Sequence, residues 1–75
     1  MKHFTTLTNI ECSIIDVEQC VSLIRALGLA IESGSMSSED ISNCVYNLES
    51  RLLDSSSSLR ENFNQLWKAV KTDGN

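Results

Sequence analysis

The sequence predicts an all-α protein, one helical domain spanning residues 1–75, and three observations carry that reading. Proline is absent and glycine stands only at positions 28, 34 and 74, so little interrupts a helix. Apolar residues recur at intervals of three and four rather than two, the helical and not the strand period. Two marked helix starts, separated by one short turn, then make neighbouring helices antiparallel. The expected architecture is a helical hairpin, about 9–33 and 38–54, with a third helical segment at about 59–71, packed as a small bundle and associating as a dimer.

The first helix is expected to start at Thr8-Asn9-Ile10-Glu11, a capping box in which the threonine hydroxyl and the glutamate carboxylate satisfy each other's backbone amides. Leu7 and Cys12 stand at the positions of a weak hydrophobic staple, and residues 1–7 read as a mobile arm. Ile10, Ile14, Val17, Val21, Ile24, Gly28 and Ile31 then follow the alternating four-and-three spacing of a coiled-coil seam. Gly34 is placed to end this helix as its left-handed cap.

Ser37-Ser38-Glu39-Asp40 repeats the capping box with Asp at its last position, flanked by Met36 and Ile41 as a staple. The linker is thus about three residues long. Ile41, Val45, Leu48 and Leu52 give the answering seam, facing the second half of the first helix. In Asp54-Ser55-Ser56-Ser57-Ser58 the serines compete for their own backbone and nothing apolar continues the seam. Ser58-Leu59-Arg60-Glu61 offers a third capping box, so a break is expected here, with a continuous helix as the alternative. Leu59, Phe63, Leu66 and Val70 form the stripe of the last segment, Trp67 stands beside it, and residues 72–75 read as a frayed tail.

Pairing the two helices symmetrically sets Asn62 opposite Asn9 and Cys44 opposite Leu27. With the first helix starting near Asn9, Phe63, Leu66, Trp67 and Val70 would project beyond it and need cover. The run Val21–Ile31 is interrupted only by Ser22, Arg25 and Gly28, so that helix is apolar on more than one face. Leu23, Leu27 and Ala30 form its second stripe. Gly28 either admits a close backbone approach or simply weakens the helix.

Catalysis is not expected. His3 is the single histidine, and no nucleophile, base and orienting group can be assembled around it. Neither Asp16 with Glu18 nor Glu39 with Asp40 shares a helix face. No phosphate loop, zinc-protease or EF-hand pattern occurs, so neither cofactor nor metal is expected. Cys12, Cys20 and Cys44 are odd in number and lack C-x-x-C spacing; they read as small apolar residues, buried or half-buried, in a reducing compartment. Cys44 and Cys20 fall roughly 10 Å apart along the hairpin, too far for a bridge.

No signal sequence or membrane-length apolar run is present, which points to a cytoplasmic protein. The formal net charge is -4, and between Asn9 and Asp54 eight acidic residues face only Arg25 and Arg51, which disfavours direct binding of nucleic acid. A basic set on the last segment, Arg60, Lys68 and Lys71 with Asn62, Asn64 and Gln65, is what a DNA-binding regulator would use. The expected function is instead non-enzymatic: binding a protein partner by contact, through Leu23, Leu27, Phe63, Leu66 and Trp67. Each of these five is also a residue type that fills an internal core. In size, capped hairpin and serine-rich acidic composition the chain resembles the short helical accessory proteins of bacteriophages and prophages. That resemblance implies an inhibitor or modulator of a host enzyme, nucleic-acid-binding protein or defence system; an antitoxin or secretion-chaperone subunit is the competing version.

Overall fold

The computed structural model describes residues 3–73, and among them all regular structure is helical. Helix α1 spans Phe4–Glu32 and helix α2 spans Ser38–Asp73. They pack along each other as a hairpin 58 × 15 × 14 Å in extent.

The turn is built much as its residues require. Gly34 has φ 72°, the left-handed conformation. Its amide donates to the Ile31 carbonyl at 3.0 Å and the Ser35 amide to the Ala30 carbonyl at 3.3 Å, the paired bonds of a Schellman motif. The hydroxyls of Ser33 and Ser35 donate to the same Ala30 carbonyl at 2.9 and 3.2 Å. Ser37 then caps α2, its hydroxyl accepting from the Asp40 amide at 3.1 Å, while Glu39 and Asp40 lie in the first turn, where the helix dipole favours negative charge.

Three expectations are corrected. First, α1 begins at Phe4 with no side-chain cap at His3, so Thr8-Asn9-Ile10-Glu11 lies inside the helix and residues 4–7 are not an arm. Residues 1 and 2 lie outside the described residues. Second, α2 is continuous: the serine run is helical, there is no third segment, and Thr72 and Asp73 belong to the helix; Gly74 and Asn75 are outside the described residues. Four serines cost about 2 kcal/mol of helix propensity relative to alanine. Helix propagating from both sides, the bond that Ser55 donates to Asp16 and the bond that Ser58 accepts from Ser13 offset that. Third, because α1 starts five residues early, its first turns run beside Phe63, Leu66 and Trp67.

The pairing register matches expectation. Asn9 Nδ2 donates to Asn62 Oδ1 at 3.3 Å, and the Ser13 and Ser58 hydroxyls meet at 3.4 Å. Ser55 lies level with Asp16. The sum of paired residue numbers therefore stays constant, the mark of two helices running side by side without drift.

On α2 Ile41 and Leu48 lie in the seam as expected, but on α1 the seam is displaced from its expected position. Thr6, Ser13, Cys20 and Leu27 recur at seven-residue intervals and are buried or half-buried, as are Ile41, Leu48, Ser55, Asn62 and Ala69 on α2. The expected stripe lies one position outward: Ile10 and Val17 are half-buried, whereas Ile14, Val21, Ile24 and Ile31 are exposed. Gly28 faces open space, where a methyl group in place of its hydrogen would meet nothing within 4 Å. Within the hairpin it is a weak helix position and not a point of close approach.

A continuous α2 makes a specific demand at Ser57, which is exposed. Ser57→Ala is expected to raise stability by about 0.5 kcal/mol and Ser57→Pro to lower it by about 3 kcal/mol or more, read from urea midpoints. A chain with a break at this point would tolerate proline.

Candidate protein-binding surfaces

The centre of the seam is narrow and partly polar. Among the described residues the buried apolar side chain is Cys20, at 0% exposure, and Ser13, Ser55 and Asn62 are buried along the seam between it and the open end. Small residues let the helices approach closely, and each polar group has its partner. Asn62 Nδ2 donates to the Ser58 carbonyl at 2.8 Å while its Oδ1 accepts from Asn9. Ser55 donates to Asp16 Oδ2 at 3.1 Å. Arg51 Nη2 reaches Asp16 Oδ1 and Gln19 Oε1, both at 3.3 Å. The Arg51 and Asp16 side chains are 43% and 51% exposed, so their ion pair contributes no more than about 1 kcal/mol. Its use is to hold register, as a polar seam residue does in a coiled coil.

The seven-residue repeat divides the remaining surface into two faces. On one side of the seam lie Asn9, Asp16, Leu23 and Ala30 of α1 against Cys44, Arg51 and Ser58 of α2. Toward the open end this side is polar, a groove between Asn9, Ser13, Asp16, Asp54, Ser55 and Ser58. Toward the turn it is apolar, a groove of about 380 Å³ formed by Leu23, Ala26, Leu27, Ala30, Met36, Cys44 and Leu48, with Asn47 and Arg51 at its edge.

On the other side lie Ile10, Val17, Ile24 and Ile31 of α1, with Leu7, Ile14 and Val21 outside them. Val45, Leu52, Leu59 and Leu66 of α2 face them, with Phe63 and Val70 outside. Ile24, Leu27, Val45, Leu48 and Leu52 line a groove there, and Glu49 is its one charged group. Its α1 side is apolar along its length, whereas exposed Ser42, Glu49 and Ser56 interrupt the outer row of α2.

The five residues singled out by sequence do not form one site. Leu27 is half-buried at the seam centre, where it lines both turn-proximal grooves, and Leu23 belongs to the first face. Phe63 and Trp67, 56% and 58% exposed, lie at the open end with half-buried Leu66, roughly 30 Å along the hairpin from Leu27 at 1.5 Å per residue. The second stripe read from the sequence, Leu23, Leu27 and Ala30, does come together in the turn-proximal groove; sequence reasoning missed Ala26, Met36 and Cys44 as its other walls, and Ser13, Asp16, Ser55 and Asn62 as a ladder. The signal for the ladder was available: its members are opposite one another in the register that sets Asn9 against Asn62.

Of the cysteines, Cys20 is buried and Cys44 half-buried as expected, while Cys12 is exposed; all three are free. Among the described residues no group of three or more His, Cys, Asp or Glu is gathered as metal ligands would be, and no helix is long and apolar enough to cross a membrane. No family model matches the chain, and neither does any curated protein or solved structure.

Removing one member of the asparagine pair leaves the other without its partner. Asn62→Ala is expected to destabilise by about 1–2 kcal/mol, whereas the double change Asn9→Leu, Asn62→Leu should raise the urea midpoint. Equal losses from both would show that the pair lies outside the seam.

Proposed function

We propose that this chain is a non-enzymatic protein-binding module that acts by contact, and that an apolar anchor of its partner enters the groove beside the turn. One observation carries the reading: the hairpin buries a single apolar side chain among its described residues, Cys20, and leaves large ones exposed on both faces. Exposed apolar area on that scale marks an interaction surface. The turn-proximal groove is concave, lined by Leu23, Ala26, Ala30, Met36 and Cys44, and held by the most firmly capped part of the backbone. Met36 adds a flexible, polarizable wall that adapts to an inserted side chain.

Anchors entering such pockets dominate interface energies, so inhibition or modulation of the bound protein follows from occupancy alone. In its most concrete form the chain is a phage- or prophage-borne modulator of a host protein, the version that the resemblance in size and composition favours. The acidic character of the chain, -4 overall, supports a protein partner over nucleic acid.

The test is affinity capture from bacterial lysate with the wild-type chain and with Leu23→Asp and Ala26→Asp, which place a charge in the groove. A partner retained by the wild type and lost from variants of unchanged helicity is the expected result. Retention of DNA in a salt-sensitive manner, with no protein lost in the variants, would replace this reading with that of a DNA-binding regulator.

A further inference from the structure

Resting on the contact reading above, we infer that the isoleucine- and leucine-lined face of the hairpin is covered by a second copy of this chain, giving a two-fold symmetric four-helix bundle in which the turns lie at the same end.

Area gives the first argument. The hairpin exposes 5870 Å², whereas a compact monomer of its 8.3 kDa mass exposes about 4,600 Å² by the usual scaling. The excess over two chains is about 2,600 Å², within the range of obligate homodimer interfaces. The excess belongs to the elongated shape as a whole, and one anchor inserted in the turn groove covers only a small part of it.

Pattern gives the second. Ile10, Val17, Ile24 and Ile31 on α1 and Val45, Leu52, Leu59 and Leu66 on α2 recur every seven residues, the repeat that knobs-into-holes packing requires of both partners. A surface that meets its own copy must match itself, and this one does, since both helices present the same spacing at the same level.

The borders of the face give the third, and bear on the orientation. Continuing the repeat outward, the α1 border of the face carries Phe4, Glu11, Glu18, Arg25 and Glu32, and the α2 border carries Glu39, Tyr46, Leu53, Arg60 and Trp67. A two-fold axis parallel to the helices lays α1 of one copy on α2 of the other in the same register as within the hairpin. Phe4 then meets the partner's Trp67, Glu11 the partner's Arg60, and Arg25 the partner's Tyr46, an aromatic, an ionic and a cation–π pair. Only at the turn end do like charges, Glu32 and the partner's Glu39, come level. With the turns at opposite ends Glu11 would meet the partner's Arg25, but Glu18 would meet its own copy, and Phe4 and Trp67 would lie level with the partner's Glu32 and Glu39, so it is the aromatic pair that favours the shared end.

The experiment is light-scattering mass during size exclusion over a dilution series, with thermal midpoints at the same concentrations. Twice the 8.3 kDa chain mass and a midpoint that rises with concentration are expected. Val21→Asp and Phe63→Asp should raise the dissociation constant at least about hundredfold, while Leu23→Asp, on the opposite face, leaves the dimer whole. Glu11→Arg and Arg60→Glu should each weaken it several-fold and together restore it. A single-copy mass with a concentration-independent midpoint overturns the dimer, even if Val21→Asp merely unfolds the chain. An intact dimer indifferent to both charge reversals overturns the shared-end orientation. Since capture of a foreign partner is read through Leu23 and Ala26 and self-association through Val21 and Phe63, either can fail while the other stands.

Discussion

Everything in this hairpin follows from what lies between its two helices. Ser13, Cys20, Ser55 and Asn62 occupy the middle of the seam, and side chains this small or this polar bring the helix axes together without supplying much hydrophobic stabilisation. A fully buried leucine or isoleucine contributes about 1.5–3 kcal/mol, and here such residues are half-buried at best. Had the seam run through Ile10, Ile14, Val17 and Val21, the hairpin would hold its apolar surface inside. Turning α1 to bury the isoleucines would strip Asp16 of Ser55 and Arg51 and separate Asn9 from Asn62, so the polar ladder belongs to this packing and not to that one. Register is held at the expense of internal burial, and the apolar residues are left facing outward.

That trade links the fold to its function. A chain of this size buries only about 60% of its unfolded surface even when compact, and this one is elongated, with a radius of gyration of 17.2 Å against about 11 Å expected for a compact domain of equal length. Such a molecule has apolar area left over for the association proposed above. The two apolar regions are unlike each other: a short concave groove beside a rigid turn, suited to one inserted anchor, and a long flat face with a seven-residue repeat, suited to helices. Ile15 and Leu29, exposed on the back of α1, belong to neither.

The sequence made the helix content, the turn and the pairing register legible because each is local or follows from a local fact. Gly34, the Ser37 cap and the short linker place the two helices opposite one another, and counting back from the turn reaches Asn9 and Asn62. The serine run misled because propensity is a local quantity, whereas Ser55 and Ser58 are held by Asp16 and Ser13 across the seam. Thr8 to Glu11 misled for a related reason: a capping box marks a possible start, and Phe4 to Leu7 continue the helix past it. The seam was misplaced by one position because Ile10, Val17 and Ile24 are more hydrophobic than Ser13 and Cys20, and hydrophobicity is the usual guide to the inside. On the proposed dimer, the most apolar stripe is free to be the outer one.

The placement of the seam is tested most directly by the three native thiols, which sample it without any substitution. Cys20 lies at its centre with no exposure, and Cys12 is exposed two turns away. Under native conditions Cys12 should be alkylated readily and Cys20 only as fast as the hairpin opens, with half-buried Cys44 between them. Cys20 reacting as fast as Cys12 would put the seam elsewhere on α1 and contradict the polar-ladder packing.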